Sequence, residues 1–207
     1  MYRYYQVEGG EEAWKPVPDT HVSRVVAEKS PMFVTVLATD KLVSRETTRE
    51  DKLQIKYLGP MYFDFDSQDI KLAINDMQSL CGSLLKMGLP LEQLSVYATG
   101  SKGFHVEVPM ECFTPKVDRR GYLYLPLVYK AVALKLAEDT LDFRVYSIGM
   151  GRMWRQPGVQ RPNGRYKVRI DPSLLDHLTE EMVQELTSKP DQFEGGAEPD
   201  MCVDLAV

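Results

Sequence analysis

Cysteine and histidine are scarce in this chain of 207 residues, three of each, and Cys81, Cys112 and Cys202 stand far apart with no Cys-x-x-Cys pair. That spacing argues against a disulfide framework and against a structural zinc site. No run of about 18 or more apolar residues occurs, and the opening MYRYYQVEGGEEAW lacks the charged-then-apolar order of a secretory signal. The expectation is a cytoplasmic protein with no membrane partner. A P-loop, internal repeats and low-complexity segments are also missing. What is present, 43% hydrophobic and 27% charged residues, is the balance of a globular protein able to bury a full core.

A more local scarcity is acid between Phe143 and Ile170. Those 28 positions hold Arg144, Arg152, Arg155, Arg161, Arg165, Lys167 and Arg169 and no Asp or Glu, a charge of +7 in a chain of net −5. The other 179 residues therefore carry −12, and from Asp171 onward ten acids face one lysine. So segregated a charge places a local positive field in a negative body and points to an anionic polymer as partner. The plain alternative is a solvated basic face.

The stretch MYFDFD (61–66) poses the sharpest question. In an extended chain alternate side chains share a face, which puts Asp64 and Asp66 on one side and Phe63 and Phe65 on the other. Ionised carboxylates are costly to bury alone, so the pair must meet water, basic side chains or metal. The surroundings supply a scaffold. FVTVLATD (33–40) and KLQIKYLG (52–59) read as strands. After the aspartates, Ser67 can cap a helix with apolar Ile70, Ile74, Met77, Cys81 and Leu84, ending at Gly88. LSVYATGSKGFHVEVP (94–109) reads as a hairpin, residues 125–140 as a second helix and FRVYSIG (143–149) as a returning strand. The implied class is α+β, helices packed on a largely antiparallel sheet. Residues 189–207 have the Pro, Gly and acid content of a linker.

The hairpin gives the aspartates a chemistry. In TGSKGFHVEV (99–108), Gly100 and Gly103 allow a sharp turn and close approach, Ser101 and Lys102 offer a hydroxyl and an ammonium, and His105 opens the next strand. These are phosphate-binding groups. Beside two carboxylates they suit a magnesium-bound triphosphate, because the metal bridges acid and phosphate oxygens.

In order and context, YFDFD (62–66), TGSKGFHVEV (99–108) and LDFRVYSIGMGRMWRQP (141–157) resemble the archaeo-eukaryotic primase superfamily. This superfamily includes small primase subunits, primase-polymerases of plasmids, phages and integrated elements, and bacterial repair polymerases. The resemblance spans roughly residues 58–170, with GSKGFH its most specific part. It implies an RRM-like sheet at the centre of the α+β fold, and template-directed nucleotidyl transfer by two Mg²⁺ or Mn²⁺ ions. It divides the chain into an N-terminal part of the catalytic domain (1–57), a core (58–170) and an acidic C-terminal helix and tail (171–207) that could lead to a further domain. Asp64 and Asp66 match the first motif as metal ligands. Ser101, Lys102, Gly103 and His105 match the second, at the incoming triphosphate. Asp142 best matches the third, although Asp139 and Glu138 stand close enough to compete.

Arginines among aromatics hold single strands without sequence preference, by phosphate contact and base stacking. Arg152 and Arg155 are accordingly expected near nucleotide or template, and Arg161, Arg165, Lys167 and Trp154 along the strand, with core packing the alternative for Trp154. Asn163-Gly164 reads as a turn between basic strands. The expected partners are single-stranded DNA and ribo- or deoxyribonucleoside triphosphates, with any helicase or priming accessory supplied elsewhere. Two rivals stand beside this reading: a two-metal nuclease using Asp64, Asp66, Lys102 and Glu107, and a non-catalytic single-stranded DNA-binding module. His21 and His177 receive no role.

Overall fold

A computed structural model describes residues 1–7, 14–114, 116–136 and 138–190. Along the chain these form strands β1 (Tyr2–Gln6) and β2 (Lys15–Pro18), helix α1 (Val22–Lys29), strands β3 (Phe33–Thr35) and β4 (Ala38–Thr39), helix α2 (Arg49–Lys52), strands β5 (Lys56–Leu58) and β6 (Met61–Asp66), and helix α3 (Ile70–Lys86). There follow strands β7 (Ser95–Ala98), β8 (Gly103–Val108) and β9 (Tyr122–Leu123), helix α4 (Leu125–Lys135), strands β10 (Met153–Arg155) and β11 (Val168–Ile170), and helix α5 (Glu180–Leu186). The fold is α+β with antiparallel sheets, as expected. Among the described residues no helix is long and apolar enough to cross a membrane.

The described residues form two compact units interleaved in sequence: those within 1–60, 117–131 and 144–156 in one, and those within 61–116, 132–143 and 157–207 in the other. This division differs from the three successive segments suggested by the sequence. One border falls inside α4, where no shift of composition marks it. The linker-like tail, from residue 191 on, lies outside the described residues.

In the first unit the strands order β10-β3-β1-β4-β5-β9, with β2 also paired to β1. The run 33–40, read as one strand, is two strands broken at Val36–Leu37: β3 pairs with Tyr5 and Gln6 and β4 with Tyr2. The break is fixed by side-chain and backbone bonds that a pattern of apolar residues does not reveal. The Tyr4 N–H donates to Thr35 Oγ1 at 3.0 Å, and the Val36 N–H donates to the Arg152 carbonyl at 2.8 Å. Val22, Val25 and Val26 of α1, at three-to-four spacing, pack on buried Tyr5, Val17 and Val34.

In the second unit the order is β11-β7-β8-β6. Met61, Phe63 and Phe65, with Phe104, Val106, Val108, Val96, Ala98, Val168 and Ile170, make one buried apolar face. α3 packs on β8 and β6, burying Ala73, Ile74, Met77, Leu80, Cys81 and Leu84. Each large aliphatic or aromatic side chain so buried contributes roughly 1.5–3 kcal/mol. Asp69 caps α3 rather than Ser67, its carboxylate accepting the Lys71 N–H at 3.0 Å, while Ser67 Oγ accepts the Asp69 N–H one step earlier. The expected strand at 143–149 is instead a 3₁₀ turn, Phe143–Val145. Val145 and Tyr146 are buried there, 1% and 3% exposed, so their apolar character expresses burial rather than strand formation.

Candidate active site

The second unit's sheet carries its polar groups on the face opposite the phenylalanines. Asp64 on β6 lies directly across from His105 on β8, His105 across from Tyr97 on β7, and Tyr97 across from Arg169 on β11. Directly opposed residues share a face, with Cβ atoms about 4.5–5.5 Å apart. The alternation of MYFDFD and the hairpin register together generate this row. Asp64 Oδ1 stands 3.5 Å from His105 Nε2, both side chains 10% exposed.

A further carboxylate joins from outside the sheet. Leu141 forms an antiparallel bridge with Phe65, the Asp142 N–H donates to the Asp64 carbonyl at 2.8 Å, and the Asp66 N–H donates to the Thr140 carbonyl at 2.9 Å. Asp142 therefore falls in register opposite Asp64, on the same face. Glu138 and Asp139 lie in the turn before it, out of that register. Asp76 on α3 fixes the start of this segment by accepting the Thr140 N–H at 2.8 Å. Nothing in the sequence pattern singled out Asp76. Tyr97 was also missed, although counting outward from a closed TGSKG turn would have set it against His105.

Thr99 N–H to Gly103 O closes the turn at 3.0 Å, and the Ser67 N–H bonds to the Lys102 carbonyl at 3.0 Å. A Cβ at Gly103 would fall on the Phe65 carbonyl oxygen, and one at Gly100, where φ is +71°, on the Tyr166 carbonyl oxygen. Both glycines are thus required by neighbouring backbone, independently of any ligand. Asp66, at the exposed end of β6, has an oxygen 3.7 Å from Lys102 Nζ with both side chains more than 40% exposed, an ion pair of little stabilising worth. Beside the turn opens a cleft of about 300 Å³ lined among others by Gln68, Ser101, Lys102, Arg165, Gln184 and Thr187.

The basic segment is shared between the units. In the first, Trp154 on β10 is 3% exposed and pairs with Val34, so core packing replaces base stacking for it. The Arg155 guanidinium lies 4.8 Å from the Phe33 ring centroid, and Arg152 is exposed. In the second, Gln160 and Tyr166 bridge around the expected turn, where Gly164 has φ +79°. Arg161 Nε donates to the Thr99 carbonyl at 2.6 Å and Asn163 Nδ2 to the Gly100 carbonyl at 3.0 Å. Arg165 donates to the Gln184 carbonyl near the end of α5 and to Thr187 Oγ1. Lys167 is 2% exposed, with its ammonium 4.3 Å from the Tyr97 ring centroid. Burial pushes it down to about 8, against the pull of Glu107 and Asp64 and with a smaller push from Arg161. Lys167 is thus an internal cation on the carboxylate face rather than a surface one.

The face collects hard oxygen donors at Asp64 and Asp66, with Asp142 in register. Among the described residues no three His, Cys, Asp or Glu side chains are already grouped as a closed metal site. Such a cage is what Ca²⁺ or Zn²⁺ would use; Mg²⁺ is held by one or two carboxylates with water and substrate phosphates completing its shell. The donor set fits that second pattern.

No family model matches the chain, and no curated protein matches it. Among solved structures it is similar to the polymerase domain from Mycobacterium tuberculosis Ligase D in complex with DNA, at 14% identity and a TM-score of 0.48, over 91% of this chain and 72% of that one. A likeness of that grade carries neither function nor site.

Proposed function

We propose that the chain is a primase-polymerase of the archaeo-eukaryotic primase type, a nucleotidyltransferase that makes or extends primers on single-stranded DNA. The observation that supports this best is one sheet face on which Asp64 pairs in register with His105 and, through the 140–142 segment, with Asp142, next to a Gly-Ser-Lys-Gly turn. Asp64 and Asp66, with Asp142, would hold two Mg²⁺ or Mn²⁺ ions, whose chemistry is to stabilise an attacking 3′-hydroxyl and a departing pyrophosphate. The chain's own residues bind and orient. Ser101 and Lys102 meet the triphosphate, and His105, held against Asp64 at 3.5 Å, presents its ring to a phosphate rather than to a metal that prefers oxygen. Lys167 sets its ammonium close enough to Asp64 and Glu107 to offset part of their negative charge.

The deciding experiment incubates the protein with labelled single-stranded templates, Mg²⁺ or Mn²⁺ and each nucleotide set, with and without a primer. Nucleotide-dependent lengthening is expected, lowered on the order of 10²–10³-fold or more by Asp64→Asn or Asp66→Asn with template binding retained. Shortening of the labelled strand would carry the nuclease reading instead. Binding without any turnover, unchanged in both variants, would carry the binding-module reading.

A further inference from the structure

The Gln160–Tyr166 turn reaches the phosphate-binding hairpin by contacts that template binding does not require. Four of the five carbonyls in residues 99–103 are engaged by named donors: Thr99 by Arg161 Nε and Gly100 by Asn163 Nδ2, and Lys102 by the Ser67 N–H and Gly103 by the Thr99 N–H. None of these bonds uses the N–H of Ser101 or Lys102. Carbonyl oxygens repel an anion and amide hydrogens attract one, so a turn whose carbonyls are taken up by protein donors is left with its amide hydrogens to offer an anion. The first two of those carbonyls are held by side chains more than sixty residues away in sequence.

We infer that Arg161 and Asn163 are positioning residues, which hold the Thr99–Gly103 turn in its anion-accepting form, and that Arg161 is not a template contact. The inference rests on the nucleotide-site reading of that turn. Three further contacts make the brace stiff. The backbone of Tyr166 abuts the Cα of Gly100, the Tyr166 N–H donates to the Thr187 carbonyl at 2.8 Å, and Arg165 donates to Gln184 and Thr187. The second turn is thereby tied to α5 on one side and to the first turn on the other, and all of these residues belong to one compact unit. A guanidinium suits the task because its charge strengthens the bond and its planar fork fixes the direction.

The test uses the full chain with dATP and Mg²⁺ as one probe and oligo-dT at several salt concentrations as the other, in the parent, Arg161→Ala, Arg161→Lys and Asn163→Ala. Arg161→Ala is expected to raise the Kd for dATP about tenfold or more, as loss of a charge-assisted hydrogen bond does. Arg161→Lys should recover part of that loss. Asn163→Ala, at an exposed tip where folding is not at stake, should raise Kd roughly threefold. Hydrogen exchange at the Thr99 amide, which closes the turn on the Gly103 carbonyl, should quicken in both alanine variants, and the salt slope for oligo-dT should stay that of the parent. A dATP affinity within about twofold of the parent in both alanine variants overturns the inference alone. So does a salt slope flattened by about 0.7 in Arg161→Ala, the mark of a lost phosphate contact. A parent that binds no dATP removes the nucleotide-site reading, and the positioning role with it.

Discussion

The six residues of β6 contribute to both faces of the four-stranded sheet, yet the two faces obey different rules. On one, Phe63 and Phe65 are 0% and 1% exposed against Phe104 and Val106, and their worth is the area they remove from water. On the other, Asp64 is 7% exposed, a carboxylate whose burial is costly and beside which His105 and Lys167 lie. Stability resides in the first face, and in the second lies a concentration of like charge that folding alone does not explain. Groups held at a cost in stability are where function is to be sought.

The comparison breaks most visibly by exchanging adjacent residues. Phe65→Ala should lower unfolding free energy by about 3–5 kcal/mol through the cavity it leaves. Asp66→Asn, one position away, should change stability by less than about 1 kcal/mol, because its ion pair with Lys102 is largely exposed. Urea titrations of the two variants and the parent check this. Equal losses would mean that the polar face is structural after all.

Much of this was legible in the sequence because short-range rules govern it. Period-two alternation put the aspartates together, the glycines marked the hairpin, and three-to-four spacing gave the helix that covers the phenylalanines. What stayed hidden depends on contacts distant in sequence. Leu141 pairs with Phe65 across 75 intervening residues, which no local pattern announces, and the apolar residues after it suggested a strand in the wrong place. The basic run was read as one patch, but it divides between two units, and two of its arginines are committed to carbonyls. Charge counted along a chain does not say which charges face solvent.

Lys167 sharpens the contrast by a smaller effect. Its ammonium sits near 8 in the folded protein and close to its ordinary 10.4 when unfolded. Between those values the unfolded chain binds more protons, so this group makes stability rise with pH across that window, by up to about 1.4 kcal/mol per pH unit. Below pH 8 the buried charge is a burden that the Glu107 and Asp64 carboxylates partly offset. Lys167→Met should flatten the rise in the urea midpoint between pH 8 and 10. The same slope in variant and parent would place the Lys167 ammonium in water, contrary to its burial.

The smallest expected effect separates the two halves of the basic segment. Arg161 and Arg165 each give a donor to a carbonyl and Lys167 is buried, whereas Arg152 in the first unit is exposed. Affinity for a single strand falls with salt because each phosphate contact releases condensed counterions, at a log–log slope of about −0.7 per contact. If Arg152 touches a phosphate, Arg152→Ala should flatten the slope for oligo-dT by about 0.7 and weaken binding alike on unrelated sequences. Arg165→Ala should leave the slope unchanged even where loosening α5 lowers affinity, since a structural loss moves the intercept and not the ion count. Flattening in Arg165→Ala with none in Arg152→Ala would reverse the assignment and place the strand along the second unit.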